Sequence, residues 1–280
     1  MSSLAPTATP SRAPANPFAV ALARLWRARR LVERNVLVYR HQWIIIFSGV
    51  FEPIFYLIGI GLGIGGIVGD VPPQYTDGVQ ISYLAFVAPA LLATAAMNGA
   101  VFETIFNVFF KLNFAHIYDG ILATPLGIRE IALGELIWSL MRGSIYVIAF
   151  LGVMLALGLI LSPWAILVPA AAVLLGAAFS AAGLATTAYL RTVQDFDLPM
   201  GLVVMPMFLF SGTFFPVSFY PVPIQVLMEA IPLFHGVTLV RALTTGVIEP
   251  RLAWDVLYLV VFFAICFFIA MRQIERKLIK

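Results

Sequence analysis

Four ionisable residues, Glu52, Glu103, Glu135 and Arg142, fall inside stretches that are otherwise made of apolar side chains. A charge at membrane depth costs a few kcal/mol on insertion scales, so each one needs an account. Two chemistries suit them: neutralising one another between helices, or lining a path along which something polar moves. Glu135, Trp138 and Arg142 recur on one helical face, but the two charges are separated by about two turns, roughly 10 Å of helix axis. They are too far apart to pair within one helix. Arg142 is therefore expected to be buried among helices and neutralised by Glu103 or Glu135 of the same or a facing subunit.

Other chemistries find no support in the motifs. No Gly-x-x-x-x-Gly-Lys-Ser/Thr loop exists to cradle ATP phosphates, so any energy source has to be a partner. There is no His-Glu-x-x-His zinc motif and no Gly-x-Ser-x-Gly elbow. His41, His116 and His235 are scattered over two sides of the chain's expected topology, and Cys266 is alone in an apolar run, so no metal site is expected. Gly61 to Gly66 fits Gly-x-Gly-x-x-Gly, but it lies in or at the end of an apolar block and not between a strand and a helix. The four-residue spacings of Gly59 with Gly63 and of Gly61 with Gly65 point to close helix packing instead.

One polar segment stands out. Residues 111–130 contain Phe114, Ile117, Ile121 and Leu122 at three- and four-residue spacings, with His116 and Asp119 off that face. Pro125 stops the stretch before the next apolar block. Such a loop is either a plain connector or a docking helix that passes force from a soluble partner; Tyr118 lies within it.

The elements that must position these residues follow from composition. Of 280 residues, 61% are hydrophobic and 11% charged, against about a quarter charged in a soluble domain. The apolar residues come in blocks of about 20, enough to cross ~30 Å of hydrocarbon. Six spans are expected near 43–68, 82–110, 131–160, 164–190, 198–215 and 254–270. The fold class is an all-α polytopic membrane protein. A tail over residues 1–17, rich in Ala, Pro, Ser and Thr, is expected to be disordered. Residues 18–41, with Phe18, Leu22, Leu25 and Trp26 among arginines, suit a helix lying at the membrane surface, and 42–280 form the transmembrane domain. Between spans 5 and 6, Pro216, Pro221, Pro223 and Pro232 break an apolar segment into halves too short to cross. All of the 17 Lys and Arg except Arg142, Arg241 and Arg251 fall on one side of these spans, which predicts a multi-pass protein with both termini cytoplasmic.

Tyr118-Asp-Gly-Ile-Leu-Ala-Thr-Pro-Leu126 followed by Glu130-Ile-Ala-Leu-Gly-Glu135 resembles the cytoplasmic loop of ABC-2 type exporter permeases. Phe210-Ser-Gly-Thr-Phe-Phe-Pro-Val217 and Pro232-Leu-Phe-His-Gly-Val-Thr-Leu-Val-Arg-Ala-Leu243 resemble the end of that family's fifth span and the segment after it. Within the family the chain is similar first to nodulation-type (NodJ-like) lipo-oligosaccharide exporters and next to daunorubicin-type drug permeases. The resemblance implies a homodimer of six-span subunits in the bacterial cytoplasmic (inner) membrane, surrounded by membrane lipids and paired with two copies of a cognate ABC ATPase. That ATPase would bind ATP and Mg; this chain would carry no cofactor, contact no nucleic acid and move an amphipathic substrate outward. The segment from Pro216 to Pro232 would be a pair of short, partly re-entrant outer helices. An intramembrane lipid-modifying enzyme and a passive channel or scaffold are the alternatives.

Overall fold

The computed structural model describes residues 17–40, 43–76 and 78–278. Of the expected N-terminal tail, residues 1–16 lie outside the described residues, as do Arg12, His41, Lys280 and the side chains of Phe18, Leu22 and Leu25. The helices, in chain order, are α1 (Pro17–Tyr39), α2 (Trp43–Gly63), α3 (Gly65–Val68), α4 (Tyr83–Phe102), α5 (Val108–Asn113), α6 (Ile117–Leu122), α7 (Ile128–Ala156), α8 (Val168–Thr187), α9 (Met205–Phe210), α10 (Val222–Glu229), α11 (Pro232–Thr245) and α12 (Arg251–Leu278). A two-residue hairpin, Asp70–Val71 with Ile81–Ser82, is the sheet present among the described residues.

Six helical segments are long and apolar enough to cross a membrane: Phe51–Val68, Tyr83–Asn113, Ile128–Ala156, Pro163–Thr187, Val193–Phe210 and Arg251–Leu278. They coincide in number and order with the six expected from composition. The fifth ends at Phe210 and not at Phe215, because the chain leaves the helix at Ser211 and turns at Gly212, whose φ of 72° suits glycine. Pro206 has no N–H to donate back along this span, and the preceding Leu198–Val204 widens into a π-helix.

The second span, 31 residues in all, is ~46 Å long, longer than the hydrocarbon thickness. Between α4 and α5 the helix widens again into a π-turn over Glu103–Asn107. Thr187 of α8 donates to the Thr104 carbonyl within that turn at 2.7 Å. The approach is close because position 183 is glycine: a Cβ there would collide with Thr104 Oγ1. Of the four glycines expected to pack helices, Gly61 is tight against Leu84, Gly65 reaches ordinary contact with Tyr83, and Gly59 and Gly63 have open space around them.

All four expected proline breaks mark helix starts. Pro216 precedes a short turn over Val217–Phe219, Pro221 caps α10, Pro223 lies in its first turn, and Pro232 opens α11. The α10 and α11 axes meet at 87°. Most of α11 is buried, against α4, α8 and α12. α1 is held to the bundle more closely than a helix merely resting on a surface: Ala28, Leu31, Val32, Asn35 and Tyr39 form a buried stripe, with Leu31 seated against Gly134 of α7. Trp26, expected on the buried face, is 65% exposed and lies beside Arg29.

Candidate functional site

The polar residues of spans 2 and 3 meet in one buried network at the end of the bundle that also carries α1, α6 and the C-terminal end of α12. Glu103, Asn107 and Lys111 follow one another at four-residue spacing through the π-turn and α5. α7 presents Glu135 and Arg142 toward them. Glu103 is 0% exposed and pairs with Arg142 Nη1; Glu135 is 1% exposed and pairs with Lys111 Nζ at 2.7 Å. Of the two partners left open for Arg142 by the sequence, the geometry brings up Glu103 of the same chain. Arg142 is further held by Tyr146 Oη at 2.8 Å and by the faces of Tyr39 and Tyr146, and Asn107 Nδ2 donates to Glu103 at 2.7 Å and to Tyr39 Oη at 2.8 Å. Two carboxylates and two cations leave the cluster neutral.

The loop helix enters this network directly. Tyr118 of α6 is 2% exposed and donates from Oη to Glu135 Oε1 at 3.0 Å, while Asn35 of α1 approaches Glu135 Oε2 at 3.4 Å. Ile121 and Leu122 pack on the same side as Tyr118, against a cluster that contains Ile131, Leu184 and Ile274. Ile117 is half-buried; Asp119, Gly120, Ala123 and Pro125 are exposed. Phe114, expected on the helix face, precedes the helix, because His116 takes a left-handed φ of 46° and separates α5 from α6. Its ring instead stacks near Phe110 and Phe109 and is 60% exposed. Burial, reinforced by the Glu135 charge, raises the Tyr118 phenol well above its ordinary range, and burial with the Glu103 charge pushes Tyr39 up to about 12. Both stay protonated at physiological pH.

Lys111 sits between two acids. Its Nζ is 2.7 Å from Glu135 and 3.9 Å from Glu103, whose Oε1 is buried without a hydrogen-bond partner. A small swing of the lysine would exchange one carboxylate for the other. Sequence reasoning read Lys111 only as a topological charge; its spacing with Glu103 and Asn107 was the available signal. It also passed over a buried pair at the opposite end, where His235 of α11 contacts Asp255 of α12 at 2.6 Å and the Glu229 carbonyl of α10 at 2.8 Å, with Tyr258 stacked on the ring at 4.0 Å. Glu52 is not part of either group: it is exposed on α2 beside a cleft. Pro216, Pro221, Pro223 and Pro232 shape the helices between the fifth and sixth spans, and Pro232 opens the helix that carries His235. Among the described residues no group of three or more His, Cys, Asp or Glu is placed to hold a metal ion.

A family model described as ABC-2 type transporter matches residues 28–244, from the buried stripe of α1 to the end of α11. This chain belongs to the ABC-2 type transporter family. The permease is 30% identical over 250 residues to "Nodulation protein J" of Rhizobium leguminosarum bv. trifolii, covering 88% of this chain and 92% of the relative. It is 30% identical over 262 residues to "Nodulation protein J" of Sinorhizobium fredii, covering 93% and 97%. To "Inner membrane transport permease YadH" of Escherichia coli it is 23% identical over 263 residues, covering 90% and 95%. An ABC-2 permease is a transport subunit, and its family implies an ATP-binding partner subunit. The permease is thus a multi-pass transmembrane subunit of an ABC exporter.

Proposed function

We propose that two copies of this permease pair in the bacterial cytoplasmic membrane, that two cognate ATPase subunits dock on α6, and that ATP with Mg bound by those subunits drives an amphipathic molecule outward. The observation that carries this reading is the Tyr118–Glu135 hydrogen bond. It fastens a short helix at one end of the bundle to charges inside the spans, so a displacement of α6 acts at once on α5 through Lys111 and on α7 through Glu135. Buried ion pairs seldom add net stability over apolar replacements, so their presence favours a role in registering or switching the helices. The two positions open to Lys111 give such a switch a concrete form. α2 and the Val193–Phe210 span bury little of their apolar surface within one chain, which supports a second copy against them.

Purification of the tagged permease from its own host in mild detergent is expected to bring down a protein bearing a Gly-x-x-x-x-Gly-Lys-Ser/Thr loop in equal amount, identified by mass spectrometry. Recovery of the permease with no such partner in repeated preparations would count against an ATP-driven exporter. The orientation is tested separately. Reporters fused after Lys280 or within residues 111–130 are expected to read cytoplasm and one within 70–80 the outside, as the basic residues dictate. A C-terminus on the outer side would refute the six-span orientation.

A further inference from the structure

His235 of α11 and Asp255 of α12 are both fully buried, and neither takes part in the network at the other end of the bundle. Both nitrogens of the imidazole are engaged. Nε2 lies 2.8 Å from the Glu229 carbonyl of α10, and Nδ1 lies 2.6 Å from Asp255 Oδ1. A carbonyl can only accept, so Nε2 carries a hydrogen. At the Nδ1 contact a second proton has to lie between the two atoms, either on an imidazolium facing a carboxylate or on a carboxylic acid donating to a neutral ring. Both forms leave the pair without net charge. An ordinary neutral histidine beside an ordinary carboxylate holds one proton fewer and would set lone pair against lone pair across that contact.

The surroundings offer no substitute for that proton. Asp255 Oδ2 is buried without a hydrogen-bond partner. The nearest other charges, Glu229 of α10 and Arg251 of α12, pair with each other at 3.0 Å, with the guanidinium over the Phe234 ring. Arg241, further along α11, lies on Phe86 and donates to the Phe86 and Gly212 carbonyls. The other elements packed on α11, namely α4, α8, α9 and the turn over Pro163–Leu167, contain no Asp, Glu, Lys, Arg or His. Loss of the proton therefore leaves a buried carboxylate unanswered, which is costly. The element free to yield is α10. Met228 is its buried side chain, and its C-terminal end is tied down by the His235 bond to Glu229 and by Tyr258 Oη, which donates to the Ala230 carbonyl at 2.7 Å. α10 meets α11 at 87°, so rotation at the intervening residues 230–231 moves it without unfolding either helix.

We propose that His235 and Asp255 form a proton-binding site and that the bound proton latches the elbow of α10 and α11 to α12. With the proton in place, one imidazole joins three helices. When it leaves, the Asp255 contact turns repulsive, the ring gives up one of its two bonds, and α10 lifts off Met228. The latched state holds one proton more than the released state, so low pH favours the latch and rising pH releases it. The proposed topology puts this end of the bundle outside, so it is the outer pH that would be sensed. The latch itself depends on neither that orientation, a second copy nor an ATPase, and its failure is separable from failure of the export reading.

The test uses the full-length permease in lipid nanodiscs, with Cys266→Ser removing the native thiol. Met228→Cys reports on the buried face of α10, and Val226→Cys, at an exposed position of the same helix, is the reference. The ratio of their maleimide labelling rates is followed from about pH 5 to about pH 9, a range that spans the ordinary titration of imidazole. With His235 and Asp255 intact the ratio is expected to rise about tenfold, the scale of one charge-assisted hydrogen bond. Asp255→Asn discriminates. Its amide can donate to Nδ1 while Nε2 still donates to Glu229, so the latch closes on a neutral ring with no shared proton. Position 228 is expected to stay protected in that variant at every pH, and its curve also reads any pH response of the buried thiol itself. His235→Phe keeps a ring against Tyr258, loses both bonds, and is expected to label fast throughout. A ratio for the intact pair that follows the Asp255→Asn curve would overturn the proposal, as would protection in His235→Phe equal to that of the intact pair at low pH. A ratio for the intact pair that does not change with pH overturns it even where neither variant folds.

Discussion

Arg142→Ala is expected to remove most of the folded permease from a detergent extract and to lower the melting temperature of what remains. The guanidinium is the ion partner of Glu103, whose side chain is fully buried, with one carboxylate oxygen already lacking a hydrogen bond. Deleting one member of a buried pair strands the other charge at a cost of about 3–5 kcal/mol, a large fraction of the ~5–15 kcal/mol that holds a typical domain folded. Removing the stranded charge should relieve much of this. Glu103→Gln added to Arg142→Ala is expected to restore folded yield, with a coupling of about 1–3 kcal/mol. Glu135→Gln is expected to give no such rescue, because its carboxylate is held by Lys111 and Tyr118 and its loss strands the lysine instead. The measurement is monodisperse yield and thermal unfolding of the single and double variants. Strictly additive losses for the Glu103 double variant, or rescue by Glu135→Gln, would show that the pairing is not as described.

The second large effect is expected on transport and not on folding. Tyr118→Phe keeps the ring that packs against Ile131 and Ile274 but removes the hydroxyl that donates to Glu135, and Ile121→Glu places a charge on the face of α6 that meets the bundle. Neither position lies within the apolar length of a span, so membrane insertion is expected to continue. A neutral hydrogen bond to a buried charge contributes about 1.5–3 kcal/mol, which bounds what Tyr118→Phe can cost in stability. On the proposed docking of the ATPase at α6, coupling runs through that bond. Substrate-stimulated ATP hydrolysis by the reconstituted complex is expected to fall about tenfold in Tyr118→Phe, with the ATPase still associated. Ile121→Glu is expected to lose association as well. Ile121→Pro, which lacks the N–H needed for the i→i−4 bond within α6, is expected to behave like Ile121→Glu. If all three variants keep both association and stimulated turnover, α6 has no part in energy coupling, and α1 becomes the element to test at the same end of the bundle.

The bilayer makes some of this architecture readable from the linear chain. Each span must satisfy its own backbone and present about 20 apolar residues, so hydropathy marks six segments without knowledge of their packing. Prolines 216, 221, 223 and 232 likewise coincide with helix starts, because a residue without an N–H fits most readily in a first turn, although Pro53 and Pro89 lie inside helices. The loop around Ile117–Leu122 was legible as amphipathic for the same local reason. Its buried face was read less well: apolar type pointed to Phe114, whereas the left-handed turn at His116 excluded Phe114 and gave the inward place to Tyr118, an amphipathic ring whose hydroxyl found a buried acceptor.

The sequence by itself determined the number of spans, the bias of basic residues to one side, the proline-broken segment between spans 5 and 6 and the demand that Glu52, Glu103, Glu135 and Arg142 be explained, because each of these follows from a local property: apolar length, missing N–H groups, or the cost of a lone charge. Which charge answers which was decided only by the tertiary structure. The π-turn at 103–107 and the close approach allowed by Gly183 set the rotation of the second span against α7 and α8, and that rotation gives Arg142 to Glu103, gives Lys111 to Glu135, brings Tyr118 in beneath them, and leaves Glu52 facing a cleft of its own.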